Sequence, residues 1–576
     1  MNEYHSTGVV TKSHHLFAVA LILIMALLLF SSAAHHSPTI DEPVLMTVGL
    51  AYWWTGDTRL NFTHPPLAHM LATLPIALTE PKIDFRKFER WDTGSYFRVT
   101  RDYLKKHYAV ARAQIMKARK TIVVLTLLLA AYIYFWCLRV YGPPTALAAL
   151  FFFTFNPMVL AHGSLVTSDL AVTCFMTVAL GEFYFCLRKP GLFHLMTTTL
   201  AFACAVLSKY SAVLLLPVMI GTAAVFAWKG WGRFESKQRI YRFGLLILEC
   251  LVALVLVLLC INGAYRFQNT GWSAEKILTH PQPTDSLARG MQDTLLEMET
   301  PLTLLPSWTP IPVPYEFIYG LASQRKHNRD GHPTYFMGRT RTQGLFYYYP
   351  VMLAIKTPAG LLVLLGFAFA LAMKRRIKPT TATNLLILAA LFYLLVFMAS
   401  NINIGVRYAL PVEVLMIILA GRSAVWIWGA DGSHRLFRAL VAVLSVSVMV
   451  AVLAVSPHYL GYFNLFVGGE KTGHKVSIIG EDWGQDVAEL AEIVKCGHPP
   501  RMYYDDFTYQ QMLEMIYAGV KSHKYRCNKK ISRPAWVAVH AMKVLRAPNL
   551  DECYAFMKNR EPDININHHI WLYKLD

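Results

Sequence analysis

Long uncharged runs, rather than amphipathic alternation, dominate the hydrophobic pattern of the chain. Leu16–Ala34 is the first, and it is long enough to cross a hydrocarbon core as a helix. Further runs follow at Thr121–Leu138, Pro144–Leu160, Leu170–Leu187, His194–Leu207, Tyr210–Trp228 and Phe243–Ile261. The last are Tyr347–Met373, Thr383–Ser400, Ala409–Ile427 and Leu436–Val455. The pattern predicts a mainly α-helical polytopic membrane protein of about eleven transmembrane helices. Three large polar segments interrupt it, at 35–120, at 262–346 and from 456 to the end. In the last, strand-like stretches (Ala535–Val539, Ile570–Tyr573) alternate with a helical one near Asp486 to Val494. This predicts a transmembrane domain over 1–455, with loops at 35–120 and 262–346, followed by a small extramembrane α/β domain over 456–576.

Composition agrees: of 576 residues, 55% are hydrophobic and only 16% charged. The net charge of +19 would suit nucleic acid in a soluble protein. Here the cations gather in alternate short connections: Arg188-Lys189, Lys229 through Arg242, Lys374-Arg375-Arg376 with Lys378, then Arg435 and Arg438. That distribution sets topology, with these connections and the N-terminus inside and the three large segments outside. No nucleic-acid partner is expected. Cys137, Cys174, Cys186, Cys204, Cys250 and Cys260 lie in apolar runs and read as packing residues. Cys496, Cys527 and Cys553 lie in the polar tail, where their spacing fixes no pairing. No zinc-type Cys/His spacing occurs, so neither a metal nor another cofactor is expected.

Against that topology a few ionisable residues stand out on the outer side. Asp41 and Glu42 follow the first run; Asp169 lies between the third and fourth runs; Lys209 lies between the fifth and sixth. Arg407 precedes the tenth, and Lys356 lies inside the eighth. Cations in short outer links oppose the usual bias, and one within a span costs about 2.5 kcal/mol or more. Each has a structural alternative: Lys209 snorkelling to the interface, Arg407 pairing with Glu413, Asp169 capping the fourth helix. Together, three carboxylates and three cations at one face suit displacement of a phosphate from a sugar carbon. Cations stabilise the departing phosphate, and a carboxylate accepts the nucleophile's proton. Glu182 and Glu249 fall toward the other face and read as structural.

Thr39-Ile40-Asp41-Glu42-Pro43 followed by Thr63-His64-Pro65-Pro66-Leu67 resembles the protein O-mannosyltransferases and the lipid A aminoarabinose transferases, GT-C-type enzymes. The similarity continues through Val166-Thr167-Ser168-Asp169, Leu207-Ser208-Lys209-Tyr210-Ser211 and Lys356-Thr357-Pro358. It extends to Asn403-Ile404-Gly405-Val406-Arg407-Tyr408 and Gly480-Glu481-Asp482-Trp483-Gly484-Gln485-Asp486. The resemblance implies a retained first helix, although Ser31-Ser32-Ala33-Ala34 has the small residues of a signal-peptidase site. It implies an inverting transfer of a sugar from a polyprenyl phosphate to a protein, lipid or glycan acceptor. Asp41, Glu42 and Asp169 would be catalytic, and Lys209, Lys356 and Arg407 would hold the donor phosphate. His64, Asp482 and Trp483 are candidate substrate contacts. The bacterial character of the motifs points to a plasma membrane with the tail outside. Two features depart from the protein mannosyltransferases: the second outer segment shows no repeat, and the chain ends in an α/β tail.

The rival class is a transporter or flippase of a lipid-linked substrate. Transporters place binding groups near the midplane between repeated halves; here the charges lie at one face and no repeat is evident. Tyr52-Trp53-Trp54 reads as part of an amphipathic helix lying in the interface or as the lining of a polyprenyl groove. Tyr347-Tyr348-Tyr349 reads as an aromatic belt.

Overall fold

The computed structural model describes residues 10–575 apart from 61–62, 189–190, 236–237, 281–300, 375–378, 430–433, 479, 498–500, 506, 522, 526–530, 532, 547–556 and 558–559. Lys189, Arg375, Arg376, Lys378, Cys527 and Cys553 therefore lie outside the described residues. Every apolar run of the sequence is largely helical, with Pro144–Leu160 and Tyr347–Met373 each broken into two helices. Among the described residues, eight helices are long and apolar enough to span a membrane, and a bent pair, taken as one span, makes a ninth. Pro143–Thr154 and Leu192–Ser208 are shorter apolar helices. Leu251, Val255 and Leu259 on Arg239–Ala264 stay exposed, as a lipid-facing surface requires.

The first helices carry the site. α1 spans Lys12–His35, and α2, Glu42–Thr55, begins after a short extended link. α3 is Leu67–Thr79, and α4, Tyr96–Tyr141, runs from the first polar segment into the bundle with a break in helical geometry at His107. α5 (Pro143–Thr154) and α6 (Pro157–His162) each start on proline, whose missing N–H costs nothing in a first turn. α7 (Ser168–Arg188) and α8 (Leu192–Ser208) form a closely packed hairpin. Asp169 is in the first turn of α7 and Arg188 in its last, so the basic connections and the acidic groups occupy opposite ends.

Two expectations are corrected. The run Tyr347–Met373 is not one helix: Tyr348–Lys356 and Ala359–Met373 meet at 113°. Pro358 has no N–H to continue the ladder, and it disfavours helical geometry in Thr357, which is extended. Tyr52-Trp53-Trp54 is not the exposed face of a surface helix, since Tyr52 is buried and Trp53 and Trp54 are half-buried. It packs α2 inward: the Tyr52 hydroxyl donates to the Ala264 carbonyl (2.6 Å) and the Trp53 Nε1 donates to the Met70 carbonyl (3.0 Å).

The tail folds around a five-stranded mixed sheet. A separate hairpin, β1 (Thr334–Phe336) and β2 (Arg339–Arg341), lies in the second polar segment. The sheet holds β3 (Met502–Asp505), β4 (His523–Lys524), β5 (Ala535–His540), β6 (Ile564–Ile566) and β7 (Ile570–Leu575) in the order β4-β3-β5-β7-β6. β5 pairs with β3 in parallel and with β7 antiparallel. Val487–Gly497 and Tyr509–Tyr517 cover one face, closing a core of Val487, Leu490, Met515, Ala538 and Leu572.

Candidate active site

The link between α1 and α2 is held by the tail. Ser37 donates its N–H to the Gln485 carbonyl (2.9 Å), and Ile40 donates to the Trp483 carbonyl (3.0 Å). The Gln510 side-chain amide donates to the carbonyls of Pro38 (2.9 Å) and Thr39 (2.8 Å). The acidic stretch of the tail is thus a backbone clamp on the segment that presents Asp41.

Asp41 and Glu42, adjacent in sequence, have opposite environments. The Glu42 carboxylate is fully buried against Arg119, with the guanidinium 2.5 and 2.8 Å from its oxygens. Thr39 and the Val166 N–H donate to the same carboxylate. Arg119 spends its remaining donors on the carbonyls of Ala33, His36 and Ser37. Every lone pair and proton of this pair is occupied, so Glu42 is anchored in a buried ion pair, unlike its neighbour. Asp41 keeps 42% of its side chain exposed and accepts one charged hydrogen bond, from Arg407 Nη1 (2.9 Å).

Asp169 and Lys209 meet because α7 begins where α8 ends. The Lys209 Nζ donates to Asp169 Oδ1 (2.5 Å) and sits 3.8 Å above the Tyr408 ring. Lys209 is buried rather than snorkelling. Arg407 Nη1 also lies 3.9 Å from Asp169 Oδ2, so charges alternate along Lys209, Asp169, Arg407 and Asp41. The Arg407 guanidinium rests 4.3 Å over Trp483, and among the described residues its buried Nε has no hydrogen-bond partner. It does not pair with Glu413, which takes hydrogen bonds from Asn156 (2.6 Å) and Thr357 (2.6 Å).

The loop carrying Arg407 is shaped by the tyrosines expected to form a belt. Tyr348 and Tyr349 are fully buried. The Tyr348 hydroxyl accepts from the Gly405 N–H (2.9 Å), and the Tyr349 hydroxyl donates to the Ile402 carbonyl (2.6 Å). Gly405 has φ +74°, and Gly480, at φ +85°, packs so close that an added Cβ would lie 2.6 Å from the Gly405 Cα.

Residues 104–259 match the family model for dolichyl-phosphate-mannose-protein mannosyltransferase. No curated protein matches the chain in sequence. The S. cerevisiae protein O-mannosyltransferase complex bound to the sugar donor is similar over 78% of this chain and 90% of its own, at 12% identity and TM-score 0.50. The chain has the GT-C glycosyltransferase fold. Two other GT-C structures are also similar. ArnT from Cupriavidus metallidurans bound to undecaprenyl phosphate has 14% identity, 98% coverage of both chains and TM-score 0.48. The oligosaccharyltransferase AglB from Archaeoglobus fulgidus has 12% identity, covers 92% of this chain and 70% of its own, and has TM-score 0.46.

On this GT-C frame the remaining candidates separate. Lys356 does not join the alternating charges; it is buried, ion-paired with Glu481 and donates to the Leu460 carbonyl (2.9 Å). Asp482 is taken by His540 Nδ1 (2.8 Å), whereas its neighbour Trp483 faces the site through Arg407. His64 is held neutral, pushed down to about 3 by burial and by the nearby Lys209. His162, 5.8 Å from Trp483 between ring centroids, and Tyr408 line the same region. Neither was singled out from sequence, though Tyr408 stands beside Arg407 in the quoted motif.

An apolar cavity of about 520 Å³ runs between α7, α8 and the helices Leu215–Lys229 and Arg239–Ala264. Phe183, Phe202, Ile220, Leu254 and Phe317 line it. The Phe317 ring lies 5.3 Å from that of Tyr210, the residue after Lys209. One lining residue thus touches the neighbour of Lys209.

Proposed function

We propose that this protein transfers a sugar from a polyprenyl phosphate to an acceptor, inverting the anomeric carbon, with Asp41 as the base. The observation that carries the reading is Arg407, held between Asp41 and Asp169 with a buried Nε donor unused. Such a donor is what an incoming phosphate oxygen needs. The apolar cavity ending beside Tyr210 suits a polyprenyl chain, which would bring its phosphate to Lys209 and Arg407. Asp169 fixes both cations, as a preorganised anion site requires.

In the transfer, the acceptor hydroxyl oxygen attacks the anomeric carbon while its proton passes to Asp41. The bond from that carbon to the phosphate oxygen breaks, and its electrons remain on the phosphate, stabilised by Lys209 and Arg407. The phosphate would draw Arg407 away from Asp41 and leave that carboxylate free for the proton. An anionic acceptor needs no base; Asp41 would then steady the oxocarbenium-like charge. The acceptor is a protein, lipid or glycan, and no metal is assigned a step. The arrangement of basic connections supports transfer at the outer face with the N-terminus cytoplasmic, and the character of the motifs supports a bacterial plasma membrane.

Asp41→Asn is the deciding variant. Purified in detergent, it should elute as the unmodified protein does and lose at least 100-fold of the transfer from a polyprenyl-phosphate sugar. Near-normal turnover would refute the assignment.

A further inference from the structure

A second cluster lies where the C-terminal end of α1, the segment after the last span and the tail converge. His36 Nε2 is 3.4 Å from His458 Nδ1, and Asp486 Oδ1 is 3.7 Å from that same nitrogen. Two imidazole nitrogens and a carboxylate oxygen thus lie within 4.8 Å of one another. Ligands on a tetrahedral zinc ion, with bonds of about 2.0–2.2 Å, stand roughly 3.3–3.5 Å apart, so little movement would close the set.

The Asn567 side-chain nitrogen lies among the same groups, 3.2 Å from His458 Nδ1, 3.0 Å from Asp486 Oδ1 and 2.7 Å from Glu489 Oε2. Rotating that amide would place its oxygen among them as a fourth ligand. Supporting contacts are also in place. His569 Nδ1 lies 2.6 Å from the other Asp486 oxygen, and Ser32 Oγ is 3.4 Å from His36 Nδ1. Groups that orient ligands from behind in this way are a usual accompaniment of metal binding. His35 and Glu489 offer a neighbouring set that shares His458.

We infer that His36, His458 and Asp486 form a site for a divalent transition metal, zinc by its nitrogen-rich ligands, which ties the tail to the ends of two membrane helices. The ion would be structural. Its ligand His36 begins the link that ends at Asp41, and Asp486 closes the clamp that holds this link.

The test uses full-length protein in detergent, stripped with chelator and titrated with zinc chloride. Expected are about one bound zinc per chain by elemental analysis, a rise in melting temperature on adding zinc, and at least a tenfold weaker affinity in His458→Gln. X-ray absorption of the unmodified protein should show a nitrogen and oxygen shell with imidazole scattering, a readout that does not depend on the variant folding. Absence of bound zinc in the unmodified protein would overturn the proposal. So would equal affinity in a folded His458→Gln, or a shell without imidazole.

Discussion

Glu42 and Asp41 show how little adjacency in sequence says about role. The Glu42–Arg119 pair is fully desolvated, and removing one partner strands the other as a buried charge. Arg119→Met should therefore lower stability by about 3–5 kcal/mol, measured by thermal unfolding, and lose protein from the membrane fraction. Arg407 belongs to the opposite case. Arg407→Met should raise the KM for the lipid-phosphate donor at least tenfold more than the KM for the acceptor. Equal effects on both would assign it to structure alone. His69 adds a pH dependence. Burial pushes it down from 6.5 to about 4, so below pH 6.5 the unfolded chain gains a proton that the folded one refuses. Stability is full above pH 6.5 and falls between about 6.5 and 4, by up to about 1.4 kcal/mol per pH unit, as denaturation at stepped pH would show.

At the scale of elements, the apolar runs were legible because a membrane helix must be apolar along its whole length. Strands such as Ala535–His540 were legible from their β-branched, apolar character. The break after Lys356 was not foreseen, although Pro358 marks it, because hydropathy is blind to direction. Partners far apart in sequence were equally hidden: Arg119 lies 77 residues from Glu42, and Glu481 lies 125 from Lys356. So Asp41, Asp169, Lys209 and Arg407 could be gathered by their shared membrane face, whereas Glu42 and Lys356 could not be separated from them. The close approach of Gly480 to Gly405 gives a prediction at this scale. Gly480→Ala adds a Cβ at positive φ against backbone, which should cost about 1–3 kcal/mol and reduce transfer by displacing the Arg407 loop.

In the whole molecule, the tail is bound into the segments that carry Asp41, Arg407 and Lys356. Its backbone holds the link before Asp41, its Trp483 supports Arg407, and its Glu481 neutralises Lys356. A chain ending before β3 would keep those three contacts but lose the sheet behind them, including the β5 residue His540 that binds Asp482. It should insert in the membrane yet transfer no sugar.

The alternation of Lys209, Asp169, Arg407 and Asp41 also bears on how a cycle ends. On the proposed reading, the donor is a phosphodiester with one negative charge, and the spent carrier is a monoester that approaches two near neutral pH. Cations fixed in place by Asp169 do not relax as that second charge appears, so they grip the spent lipid more tightly than the lipid that delivered the sugar. On that reading, release of the carrier rather than bond-making would set the pace. Added polyprenyl phosphate should inhibit competitively against the donor, with an inhibition constant below the donor's KM.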